Sequence, residues 1–98
     1  MTADQVREAL KEVYDPELGY NIVDIGLIYG VVVNDGRIGV TMTMTTPGCP
    51  AASYIEEGVR ERILAMDGVK DVDVAVVWNP PWTSDMMSDD AKHYFGWS

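Results

Sequence analysis

The chain predicts a two-layer α+β domain with helices on one face of a three-stranded sheet. Residues 37–46 alternate between two faces, residues 3–13 and 50–66 repeat apolar side chains at helical spacing, and a third alternating segment follows the second helix. The order is therefore helix, strand, strand, helix, strand, with a short final helix. Ninety-eight residues at 47% hydrophobic content are read as one domain, 1–98, that buries roughly 65% of its unfolded surface around a single core.

Thr2 with Gln5 forms a capping box, and Val6, Ala9, Leu10 and Val13 share an apolar face, so the first helix is expected over 3–13. Asp15-Pro16 stops it, because the residue before proline is driven out of helical geometry. Gly19 completes a turn by permitting positive φ. Glu17 is not needed for that turn. Two carboxylates two residues apart on a rigid turn can also bond a nearby helix end or bind a cation.

Residues 25–33 are rich in β-branched and aromatic side chains, and Asn34-Asp35-Gly36 supplies the positive-φ turn of a hairpin. The chain returns over Arg37 to Thr46, with Ile38, Val40, Met42 and Met44 on one face and Gly39, Thr41, Thr43 and Thr45 on the other. Gly26, Gly30 and Gly39 within these strands mark a bulge or a close approach by another backbone, and a helix is expected to pack there. Pro47 and Gly48 end the strand. Pro50 suits the first turn of a second helix over 50–66, where Ile55, Val59, Ile63 and Met66 recur on one side. Gly58 in mid-helix predicts close packing on the sheet.

Val72, Val74, Val76 and Trp78 alternate with Asp71, Asp73, Ala75 and Val77 as a third strand, whose pairing partner the sequence leaves open. Asp71 and Asp73 read as its solvated face. Trp78-Asn79-Pro80-Pro81-Trp82 interrupts regular structure. Ser84 or Ser88 can then cap a short helix through Ala91 to Tyr94, with Asp85, Asp89 and Asp90 near its positive end.

Cys49 is the sole cysteine, which excludes an intrachain disulfide. Its expected place at or beside the second helix's N-cap favours a thiolate, since backbone N–H groups and the helix dipole stabilise negative charge there. Lowering its pKa from about 8.5 to about 7.5 would raise the thiolate fraction at pH 7 from about 3% to about 25%. A purely packing role is the alternative.

Seven basic and sixteen acidic residues give a net charge of −9, which repels phosphate backbones and anionic lipid, so neither nucleic acid nor membrane is an expected partner. The first residues lack the basic and apolar regions of a signal peptide, and the longest apolar stretches are too short to cross a bilayer, so a cytoplasmic location is expected.

Five motifs in order resemble one family. They are Asp15-Pro16-Glu17; Asp24-Ile25-Gly26-Leu27-Ile28-Tyr29; Thr43 and Thr46 leading to Cys49-Pro50; Val76 to Trp82 with its prolines and tryptophans; and Met87-Ser88 with Ala91 and Gly96. The family is that of SufT, the PaaD protein of phenylacetate breakdown and their eukaryotic counterpart in cytosolic iron-sulfur assembly. The resemblance implies maturation of iron-sulfur proteins, a pocket of Asp15, Glu17, Thr45, Thr46 and Cys49, and a fold similar to the C-terminal domain of NifU-type scaffolds. Those scaffolds carry a C-x-x-C pair, whereas this chain has Cys49 alone.

A cluster normally takes about four thiolates, so one chain cannot hold it by thiolates alone. The expected chemistry is transient ligation of iron or a cluster through Cys49, with no tightly bound cofactor. A partner, a small thiol, or the carboxylates of Asp15 and Glu17 would complete the shell. Thr45 and Thr46 can hydrogen-bond a sulfur ligand, and Trp78 and Trp82 can cover the site or simply close the core. The expected partners are scaffold and client proteins, with a possible homodimer through an apolar patch around Trp78, Trp82 and Met86. An assembly factor rather than an enzyme is expected. The alternatives are an enzyme with Cys49 as nucleophile, for which His93 in the tail is a poor base candidate, and a metal-free adaptor.

Overall fold

A computed structural model describes residues 1–45 and 51–96. The first helix, α1 (Ala3–Leu10), opens with the expected capping box: the Thr2 Oγ1 accepts from Gln5 N at 3.2 Å, and the Gln5 side chain accepts from Thr2 N at 2.8 Å. It stops three residues earlier than its apolar spacing suggests. Lys11, Glu12 and Val13 donate to the carbonyls three residues back, which tightens the last turn. Val13 O then accepts from Ile22 N.

A small ribbon absorbs the rest of that expected helix. Its strands β1 (Tyr14–Asp15) and β2 (Tyr20–Asn21) pair antiparallel around the Asp15 to Gly19 turn. A second unexpected element follows, the four-residue helix α2 (Ile22–Ile25), in place of the predicted start of the hairpin. Asn21 caps it by accepting from Asp24 N at 2.9 Å, and Gly26 ends it at φ 93°. Both signals lay in the sequence, but a helix of one turn has no room to show a 3.6-residue period.

The hairpin consists of β3 (Ile28–Asn34) and β4 (Arg37–Met42), paired antiparallel through Val31 and Val40, with a bulge at Tyr29. Asp35 and Gly36 take positive φ in the turn, as Asn34-Asp35-Gly36 predicts. The strand β5 (Asp71–Val76) runs parallel to β4, giving the order β3-β4-β5 and settling the open pairing. Thus β4 is the central strand. The strand ends at Met42, short of the predicted Thr46, although Thr43 N keeps the same register by donating to Leu27 O at 2.9 Å.

The long helix α3 (Ala52–Leu64) packs Ile55, Val59 and Ile63 into the core beside α1 and β5. Each such side chain, fully removed from water, contributes about 1.5–3 kcal/mol. The helix starts at Ala52 with Ala51 at its cap, and the expected start at Pro50 lies outside the described residues. Gly58 does pack closely, yet on α1's end rather than on the sheet: a Cβ there would lie 3.2 Å from Val13 Cγ1.

The apolar face of β4 is as predicted, with Ile38, Val40, Met42 and Met44 buried beneath the helices. The opposite sheet face is open. Gly30 and Gly39 lie there without the expected helix, since a Cβ on either would meet only a neighbouring strand's side chain, at 4.0 Å. Gly26 is the position that needs glycine, since a Cβ would collide with the Met86 backbone. Met86 belongs to a short 3-10 turn, Ser84–Met86, after which Ser88 caps α4 (Asp89–Tyr94) by accepting from Ala91 N at 3.2 Å.

Candidate functional site

The central strand delivers the polypeptide to the predicted pocket. Past β4, Thr43 and Met44 are buried and Thr45 is half-buried. Thr46 and Cys49 lie outside the described residues, as do Pro47, Gly48 and Pro50. At Ala51 the described chain begins again, and its carbonyl accepts from Ile55 N at 2.9 Å in the first turn of α3. Cys49 thus precedes the helix cap by two positions in sequence.

Thr43 is the residue that alternation alone misplaces. Assigned with Gly39, Thr41 and Thr45 to the polar face, it is fully buried, and its Oγ1 has no hydrogen-bond partner among the described residues. An orphaned hydroxyl in a core is costly and marks a place where a further donor or acceptor would fit.

Asp15 and Glu17, the two carboxylates expected in the pocket, both lie on the ribbon turn. Asp15 is only 2% exposed, and its Oδ1 accepts from Glu17 N at 2.8 Å and from Leu18 N at 3.3 Å. Its backbone carbonyl accepts from Gly19 N at 2.7 Å, where Gly19 has φ 69°. Asp15 is therefore a turn-building residue, and a cation there would fall to Oδ2. Glu17 is exposed. Among the described residues no group of three or more His, Cys, Asp or Glu side chains is arranged to hold a metal ion.

The two tryptophans part company. Trp82 packs against the core and its Nε1 donates to Ile25 O at 2.9 Å, satisfying a carbonyl at the end of α2. Trp78 is 47% exposed. The tail between them and α4 lies as a strap over the α2–β3 corner. The Tyr29 hydroxyl donates to Pro80 O at 2.7 Å and approaches Met86 Sδ at 3.5 Å, while Ser88 N donates to Asp24 O at 2.7 Å. Tyr29 and Asp24 were legible in the sequence only as parts of a motif. Their partners are roughly fifty to sixty positions away, beyond the reach of local periodicity. His93 is exposed on α4.

The described parts of the ordered motifs fall on the ribbon turn, the α2–β3 corner, the strap across it and the end of β4. The family model described as iron-sulfur cluster assembly protein matches residues 3–76. The chain belongs to that family. It is similar to the Fe-S protein maturation auxiliary factor YitW of Bacillus subtilis, 46% identical over 95% of this chain and 92% of the relative. It is likewise similar to the Fe-S protein maturation auxiliary factor SufT of Staphylococcus aureus, 46% identical over 86% of this chain and 97% of the relative. Among solved structures it resembles a domain of unknown function from Bacillus anthracis, with a TM-score of 0.91 at 40% identity, covering 95% of this chain and 90% of that one. These relatives confirm the SufT-like and PaaD-like resemblance and the α+β class. Among the described residues of this iron-sulfur assembly family member, no helix is long and apolar enough to cross a membrane.

Proposed function

We propose that this protein is a maturation factor for iron-sulfur proteins that ligates iron or a cluster transiently through Cys49 and helps deliver it to clients. The observation that carries this reading is membership of an iron-sulfur assembly family by a chain with a single cysteine. The cluster is cargo. One thiolate satisfies about a quarter of a usual cluster's protein ligands, so the remaining positions go to a partner, a small thiol or a carboxylate. Such an incomplete shell suits release: fewer protein bonds must break when a client's thiolates take over.

In this scheme Cys49 supplies the sulfur, and the Thr45 and Thr46 hydroxyls tune it by hydrogen bonding. Asp15 shapes the adjoining turn, and its Oδ2 and Glu17 give that turn an acidic wall. Trp82 closes the core end, and Trp78 offers an apolar cover. Scaffold and client proteins are the partners. The apolar patch proposed for a homodimer is narrower than the sequence suggests, because Trp82 and Met86 are both engaged within the chain.

Anaerobic reconstitution, with iron and sulfide counted per chain, tests the proposal. The wild-type protein should take up iron or a cluster that a modest chelator removes, and Cys49→Ser should take up none. Replacing the protein in cells with Cys49→Ala should lower client-enzyme activity. Retention of a chelator-resistant cluster in Cys49→Ser would overturn the ligand assignment. Full client activity with Cys49→Ala would favour a metal-free adaptor, and turnover of a small substrate lost in the same variant would favour a nucleophilic enzyme.

A further inference from the structure

A groove of about 690 Å³ runs between the end of α1 and the outer side of α3. Tyr54, Glu57, Gly58 and Glu61 line it from the helix, following the three-to-four-residue spacing of one helical face, and Glu12 and Tyr14 line it from the other side. The two tyrosines are 53% and 66% exposed, unusual for large aromatic side chains that serve only packing.

The charges of the groove are unbalanced. Glu57 and Glu61 stand one helical turn apart, where like charges repel. Both arginines of α3 are committed elsewhere. Arg60 donates to Val72 O at 3.1 Å, and Arg62 pairs with Glu12 at 2.6 Å across the groove's end. The groove thus combines a neutralised pair, two carboxylates with no ion pair among the described residues, and two open aromatic faces.

We propose that this groove docks a basic segment of a partner protein, with a lysine or arginine between Glu57 and Glu61 and its aliphatic stem against Tyr54 and Tyr14. Carboxylates supply charge complementarity, and tyrosine faces attract both the cation and its methylene stem. A second copy of this chain is a poor occupant, because its net charge of −9 would meet the same sign. The inference is independent of what Cys49 binds, and its test involves no metal.

The probe is a blocked tripeptide, acetyl-Arg-Leu-Lys-amide, titrated into the isotope-labelled full chain at low salt and followed by amide NMR. Saturable shifts should be confined to residues 12–14 and 54–65. Glu57→Gln/Glu61→Gln should weaken binding at least about tenfold, while Asp71→Asn/Asp73→Asn, which removes the same charge from the sheet, should leave it nearly unchanged. Tyr54→Ser gives a second variant that keeps every carboxylate and should weaken binding about threefold. Equal losses in the two double variants, no saturation by about 10 mM, or shifts spread over the acidic surface would overturn the proposal. Concentration-dependent shifts at the groove without peptide would assign it to a second copy and equally overturn it.

Discussion

Thr43 spends a hydroxyl inside the core. With no partner among the described residues, that group carries a desolvation cost of about 1–3 kcal/mol. Thr43→Val, which keeps the shape, should stabilise the protein by about 1 kcal/mol, seen as a higher urea midpoint at unchanged slope. A lower midpoint would mean that the hydroxyl is paired. Cys49 makes a separate prediction. Two positions before the α3 cap, its alkylation should follow an apparent pKa below about 8.5. A profile at or above that value, or no reaction in the folded protein, would remove the chemical case for it. Both residues show how far single positions could be read. Alternation placed Met42 and Met44 correctly and set Thr43 on the opposite face, but it could not show that this face is covered at Thr43. Thr43 N still follows the β3–β4 register, donating to Leu27 O.

At the scale of elements, the strap and the α2–β3 corner stand or fall together. Gly26→Ala would place a Cβ against the Met86 backbone at a residue with φ 93°, so it should cost about 2 kcal/mol or more by thermal or urea unfolding. Trp82→Phe keeps most of the packing but removes the donor to Ile25 O, at a cost of about 1 kcal/mol. The aromatic cluster where α4 meets the ribbon gives a pH signature. Tyr20 lies 4.8 Å from Tyr94 and 5.7 Å from Phe95 between ring centroids. Loss of water raises its pKa above the ordinary tyrosine value, and the charges of Asp24 and Asp90 add to this. The folded state therefore holds that proton more tightly than the unfolded chain. Its contribution is complete at neutral pH and is lost as pH rises past about 10 and through the folded value. Tyr20→Phe should be less sensitive to alkali, and ultraviolet titration of the variant should lose one tyrosine that ionises above the ordinary range in the wild type. Equal alkaline unfolding of the two proteins would refute this.

Across the whole molecule, long periodic elements were legible and short or nonlocal ones were not. The hairpin and α3 bury several residues at regular intervals, and β5 alternates exposed residues with buried Val72 and half-buried Val74 and Val76, so composition and period coincide. By contrast, β1, β2 and α2 are two to four residues long and are fixed by contacts with distant chain, such as Ser88 N to Asp24 O. The family motifs were readable in order, while the engagement of Asp15 Oδ1 by its own turn is visible only in the folded chain. Composition could not reveal that Arg60 bonds the Val72 carbonyl and Arg62 pairs with Glu12, leaving neither in an ion pair with Glu57 or Glu61 among the described residues.

The hairpin turn also holds the start of β5. Gly36 O accepts from Lys70 N at 2.7 Å and from Asp71 N at 3.4 Å, and a Cβ on Gly36 would lie 2.9 Å from Gly68 O. That carbonyl thus fixes where β5 begins, at the sheet end where β3 stops, with Asn34 opposite Arg37 on one side and Asp71 opposite it on the other. Strand side chains have two-residue parity, so a slip of one position at this end would exchange inside for outside along all of β4. Thr43 and Thr45 would take the orientation now held by Met42 and Met44. A backbone contact at the far end of the sheet therefore acts as the index mark from which the approach to Cys49 is counted.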